Sequence, residues 1–335
     1  MKNTLLLLIS FMLFSIVAYP QTKTGTTIGQ FLLIEPSSRI SAMGNAGASL
    51  HDELFSIYYN PGAIGHIKGY QMAFTHSMWF ADIVYDYAGV GINADELGNL
   101  YASVTSLNSG EIDVRTVSQP LGTGERYTVN DIAIGIGYGK QISERFSVGL
   151  QINYIQETIW HTSLSTFGLN IGTLYQLSDE GLNIGASISN FGFPAKYSGQ
   201  DLRIRYDQNQ NVNGDNSNLP GELFTEEYPL PVFFRVGLSM PFQLGPTSKV
   251  TVVLDAFHPS DNTESMSMGA EWMFKNLFAL RAGYQNLFQQ DSEVGLTLGA
   301  GLAYDVGGYD FLFDYAWADY GRLQNTQRLT LGVSF

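Results

Sequence analysis

Six charged residues fall where ordinary surface charges do not. Glu271 and Arg281 lie on the less apolar side of two alternating stretches, equally far from Asn276. Antiparallel pairing about that turn sets one opposite the other. Arg235, Asp255 and Asp314 occupy the same face of their own alternating stretches, and Arg39 lies upstream, in a segment of small residues, as a candidate partner. The chemistry open to such a set is charge pairing, in which guanidinium and carboxylate groups satisfy each other away from lipid. A ligand role for the Glu271–Arg281 pair is the alternative. Nothing in the chain suggests catalysis. No Gly-x-Ser-x-Gly elbow, phosphate-binding glycine loop or paired zinc histidines occur, and His76, His161 and His258 stand in no pattern that singles them out. The absence of cysteine removes disulfides, thiolate metal sites and cysteine nucleophiles. No cofactor or metal is expected: Asn213-Gly214-Asp215-Asn216 is acidic but lacks the spacing of a calcium loop.

The elements that must hold these charges are strands. From Tyr70 onward apolar residues recur with period two, as in Ile132, Ile134, Ile136 and Tyr138 against Ala133, Gly135, Gly137 and Gly139. The pattern predicts fourteen strands, near 69–77, 84–94, 98–107, 128–141, 145–157, 163–177, 181–191, 232–241, 249–258, 264–274, 277–287, 294–305, 308–318 and 325–335. Charged residues make up 14 % of the chain against roughly 25 % in soluble domains, with 13 % aromatics and 36 glycines. That composition fits lipid-facing β structure with aromatic girdles. A net charge of −14 argues against nucleic acid, because little is available to neutralise phosphates. The links agree. Those after even strands are short (Ser143-Glu144, Lys275-Asn276, Val306-Gly307) apart from the moderately longer Phe242–Ser248, and the two longest, 108–127 and 192–231, follow odd strands. The expected fold is an all-β transmembrane up-and-down β-barrel of about 14 antiparallel strands with a short N-terminal plug in its lumen, set in outer-membrane lipid.

Three spans follow. Lys2, the apolar run Leu5–Val17 and the small residues after it predict a signal peptide over 1–20. Residues 21–68 do not alternate. Ser37 to Gly44 and Asp52 to Tyr59 predict short helices, and Asn60-Pro61-Gly62 a turn. Small residues at this density suit a plug, with Arg39, Asn45, Asn60 and Pro61 as candidate lumen contacts. Residues 69–335 form the barrel. Its last strand ends on Phe335, with Leu329, Leu331 and Val333 on the same face. A terminal aromatic of this kind resembles the signal by which outer-membrane barrels are recognised by the assembly machinery.

Partner contacts are expected on the outer loops. Trp79 and Phe80 stand beside Asp82 in the first, either as interfacial anchors or as an apolar contact. The long loop, 193–231, has a polar middle, a composition that predicts mobility, while Leu202, Ile204 and Tyr206 alternate with Arg203 and Arg205 and predict a small hairpin. Long loops on rigid scaffolds commonly bind partners, so Arg203, Arg205 and Tyr206 are candidates.

Three blocks carry a family resemblance. They are Phe31 to Ile64, with Ser38-Arg39 before Ala42-Met43-Gly44, Asp52-Glu53 and Tyr59-Asn60-Pro61-Gly62; Phe74 to Tyr87; and Phe313 to Ala316 with Asn325 to Arg328. The chain resembles the PorV/PorQ-type outer-membrane proteins, a branch of the FadL-like fourteen-stranded barrels, and is closer to PorV. Asn45 departs from the pattern, standing where a second glycine is common, as does Pro61-Gly62 in place of Pro-Ala, and 200–228 looks like an insertion. The resemblance implies a bacterial outer-membrane component of type IX secretion whose partners are exported or surface-attached proteins and other secretion components. A FadL-like channel for hydrophobic small molecules is the alternative.

Overall fold

The computed structural model describes residues 23–207, 211, 218–289 and 292–335. The expected signal peptide, 1–20, lies outside them, as does most of the polar middle of the long loop with Asp215. Among the described residues fourteen strands build one ring: β1 (Tyr70–Met78), β2 (Val84–Asn93), β3 (Asn99–Asn108), β4 (Val129–Ser143), β5 (Phe146–Ile159), β6 (Thr162–Gln176), β7 (Asn183–Gly192), β8 (Phe233–Gln243), β9 (Ser248–Pro259), β10 (Ser265–Phe274), β11 (Phe278–Leu287), β12 (Leu296–Val306), β13 (Tyr309–Asp319) and β14 (Asn325–Ser334). Each pairs antiparallel with its neighbours in sequence, and β14 pairs with β1 from Gln71↔Ser334 to Met78↔Gln327, so the barrel closes and no edge is left open.

Alternation decides which side chains face out. Phe74, Val104, Ile136, Leu150 and Phe313 are exposed on the outer wall, while Thr75, Ser103, Gln151 and Asp314 are buried within. The links are short at the end carrying the C-terminus, hereafter the turn end. The two long links, 109–128 and 193–232, are at the loop end, which also holds the tight Trp160-His161 turn between β5 and β6. The predicted hairpin is present at the loop end, with Arg203–Tyr206 paired to Leu219–Glu222.

The interior is occupied by the chain's own N-terminal segment, whose residues from Ser37 to Leu50 are all buried. Ser37 caps a single helical turn, Ser38–Ser41, by accepting from Ile40 N. A second turn, Ser56–Tyr59, leads to Asn60, which accepts from Gly62 N (2.9 Å) and starts the 3-10 turn Pro61–His66. The segment lies directly on strand backbone where the inward position is glycine. A Cβ at Gly185 would overlap the Ala48 carbonyl, and one at Gly149 the Pro61 carbonyl. Glycine on the alternating strands therefore serves the inner face, opposite the apolar row. Apolar contacts of Leu54, Phe55, Ile57 and Ile64 with Tyr85 and Tyr101 complete the packing.

Candidate functional site

Four of the six charges singled out at the start, Arg39, Glu271, Arg281 and Asp314, meet near the turn end. Glu271 and Arg281 are register partners on β10 and β11, as the turn geometry predicted, and Arg281 Nε donates to Glu271 Oε2 at 2.7 Å. Arg281 Nη1 also donates to Asp314 on β13. Arg39 brings the inner segment into the same cluster. Its Nε and Nη2 donate to Glu271 Oε2 and Oε1 (2.8 and 2.7 Å), and Nη1 and Nη2 to Asp52 Oδ1 and Oδ2 (2.7 and 3.0 Å). Sequence reasoning offered Arg39 to Arg235, Asp255 or Asp314. The geometry gives it Glu271 and Asp52, two bidentate pairs at once. Asp255 instead accepts from Ala48 N (2.8 Å), and Arg235 stacks over Phe233 at 4.3 Å. The cluster holds three carboxylates and two guanidiniums, and it fastens three wall strands to the inner segment.

Asn45 has φ +59, a conformation that asparagine tolerates better than most residues, and its Oδ1 accepts from Tyr59 Oη. Asn60 Nδ2 donates to Ala48 O (2.6 Å) and Thr173 O (2.9 Å), joining two turns of the segment to β6. At the turn-end mouth His66 Nε2 lies 3.1 Å from Ser147 Oγ, and its ring packs 4.2 Å from that of His51. Burial, and then the neighbouring His51, push its pKa down to about 4. Beside the segment, a cavity of about 590 Å³ opens between Leu54, Phe55, Phe311, Val333 and the acidic Asp52 and Glu53.

The loop end holds the other candidates. Trp79 and Phe80 are half-buried. Trp79 meets the Tyr320 ring at 5.2 Å and lies over the Arg328 guanidinium, also at 5.2 Å. Asp82 is exposed, as are Arg203, Arg205 and Tyr206 on the hairpin. That loop is anchored by Asp201, whose Oδ2 accepts from His161 N (3.0 Å) and Thr162 Oγ1 (3.2 Å). Sequence reasoning passed over Asp52, read as a helix start, and Arg328, one of several polar residues on the inner face of β14. The alternation that places Arg328 inward was the available signal for it. Phe335 joins the seam: its N and O bond the Tyr70 backbone (3.0 and 2.8 Å), and its ring stacks on Tyr70 at 5.4 Å.

A family model described as "Type IX secretion system protein PorV" matches residues 18–256. No curated protein matches the sequence. Among solved structures, the chain is similar to the Ralstonia pickettii toluene transporter TbuX (12 % identity, 90 % of this chain and 98 % of that one, TM-score 0.55). It is similar in the same way to the Pseudomonas putida toluene transporter TodX (12 %, 89 % and 96 %, 0.55) and to a Pseudomonas aeruginosa FadL homologue (8 %, 89 % and 97 %, 0.54). Identities this low speak for the shared barrel fold alone.

Proposed function

The chain belongs to the PorV family of type IX secretion system proteins and resides in the bacterial outer membrane, and from that premise we propose that it is a closed platform whose extracellular loops bind exported proteins or an attachment factor. The observation that carries this reading is the filled lumen. The inner segment is bonded to the wall through Arg39, Asn60 and the glycine rows, which suits a plug better than an open pore. The longest described excursions from the ring all rise at the loop end, where a surface-bound partner approaches. Trp79, Phe80, Asp82, Arg203, Arg205 and Tyr206 are the proposed contacts. Family and fold are those of a secretion or transport barrel rather than of a known enzyme.

One observation favours a channel for hydrophobic small molecules instead: the partly apolar cavity beside Leu54 and Phe55, in a fold shared with toluene transporters. Affinity purification from outer membranes, with the full chain and with residues 200–228 deleted, separates the two. Surface proteins recovered with the full chain and lost on deletion support the platform. Bound apolar compounds with no protein partner sink it in favour of the channel.

A further inference from the structure

The cavity beside Leu54 and Phe55 owes its shape to the register of four wall strands. Ala303 pairs with Leu312, Leu312 with Gly332, and Gly332 with Ala73, so one row crosses β12, β13, β14 and β1. The row is in phase with the buried Thr75, Thr297, Asp314 and Thr330 and therefore faces inward. All of it but Leu312 is glycine or alanine, and these small residues leave room in front of the inner segment. Two residues further along each strand, towards the turn end, lies a second inward row of Asp305, Asp310, Ser334 and Gln71. Both rows line the cavity of about 590 Å³, and Asp52, Glu53, Leu54 and Phe55 line it from the inner segment.

The two rows differ in chemistry. The deeper one offers only carbon and backbone, and it shares the cavity with the apolar Leu54 and Phe55. The row at the mouth offers carboxylates. Asp305 and Asp310 are direct register partners, an arrangement in which like charges repel. Both are exposed, and no lysine or arginine among the described residues forms an ion pair with either. Lys275 also lines the cavity, but its Nζ lies over the Phe274 ring at 5.4 Å. The carboxylates of the inner segment are already engaged, Asp52 by Arg39 and Glu53 by the Ser37 hydroxyl. The charge left without a partner is that of the facing aspartates, at the open end of an apolar space.

We infer that this cavity is a binding site for a small amphiphilic cation, an ammonium group carried on an unbranched apolar chain. The chain lies along the Ala303–Leu312–Gly332–Ala73 row against Leu54 and Phe55. The ammonium sits at the mouth, where its three donors serve Asp305 and Asp310 together and relieve their repulsion. A carboxylate on the same chain would add a third negative charge there, and an uncharged chain would gain the apolar contacts alone. The volume is that of an ordinary small-molecule site. The site differs from a hydrocarbon channel in selecting a sign of charge. It lies at the opposite end of the barrel from the proposed partner contacts and needs no protein partner, so either reading can fail alone.

The experiment is calorimetric titration of the purified full-length barrel in phosphatidylcholine nanodiscs at pH 7.5, with empty nanodiscs as the blank. The probes are n-octylamine, 1-octanol and sodium octanoate, one chain with three head groups. Octylammonium should bind one to one and about tenfold tighter than octanol, with octanoate weaker than both. The double variant Asp305→Asn/Asp310→Asn should bring octylammonium down to the level of octanol and leave octanol unchanged. Asp305→Asn alone should leave heat stability unchanged or raised, because it removes one of two facing like charges, so weaker binding there is no folding defect. Ala303→Leu, which fills the deeper row, should weaken octylammonium and octanol alike. Equal affinity for the three probes, tighter binding of octanol or octanoate, or no saturable binding overturns the site. So does octylammonium binding that the double variant leaves unchanged.

Discussion

Glu271 takes hydrogen bonds from two guanidiniums of different elements, Arg39 of the inner segment and Arg281 of β11. Removing one member of a buried pair leaves charge uncompensated and costs about 3–5 kcal/mol. Here Asp52 and Asp314 retain part of the compensation, so Glu271→Leu is expected at the lower end, about 3 kcal/mol, read as an earlier urea midpoint. Partner recovery should not change, and its collapse at normal stability would make Glu271 a binding residue. His66 predicts a pH effect on the same scale. Its pKa falls from 6.5 in the open chain to about 4 in the fold, so between those values the unfolded chain takes a proton that the folded chain refuses. Its contribution is complete above pH 6.5 and is lost as pH falls towards 4. Glu53, which burial pushes up to about 7 against the pull of Arg39, works in the opposite direction over an overlapping range. The comparison is therefore wild type against His66→Asn at pH 7.5 and 4.5. The variant should lose less stability on acidification, and an equal loss would remove His66 from the account.

The strands were legible because barrel strands in lipid obey one rule over many residues: alternate, and end near an aromatic. The last two expectations, 308–318 and 325–335, differ by one residue from Tyr309–Asp319 and Asn325–Ser334. The pairing of Glu271 with Arg281 was legible for the same reason, since a two-strand register follows from the turn between them. The partners of Arg39 were not. Its short helical turn is local, but the place where that turn docks depends on contacts between elements hundreds of residues apart, which leave no periodic trace. The inward glycines were visible as the small face of each strand, yet the segment that lies against them could not be read from them. Gly185→Val tests that contact. A side chain there meets the Ala48 carbonyl, and overpacking of this kind costs about 3 kcal/mol. In the folded wild type, buried Arg39 should resist trypsin; in Gly185→Val it should be cut. Protection in both would show that the segment shifts without leaving the wall.

At the scale of the molecule, two ends of one barrel carry different demands. The loop end holds the long excursions together with Arg235 and Arg328. The turn end holds the ion-pair cluster, the histidine pair and the foot of the seam between β14 and β1, where Phe335 stacks on Tyr70 and tilts against Tyr309. Closing a ring of fourteen strands requires the last strand to find the first, so the terminal residue has two conceivable tasks: packing the finished seam, or marking the strand for the machinery that inserts it. Its ring is 50 % exposed and, among the described residues, meets the rings of Tyr70 and Tyr309, which makes its packing contribution modest. Most of the seam is backbone pairing from Gln71 to Met78, which does not involve Phe335. Deleting Phe335 should therefore lower inserted protein in cells several-fold, while the same chain, refolded from urea into liposomes without any assembly factor, inserts with nearly normal yield. Equal loss in both settings would make Phe335 a packing residue, and normal insertion in cells would end the assembly reading altogether.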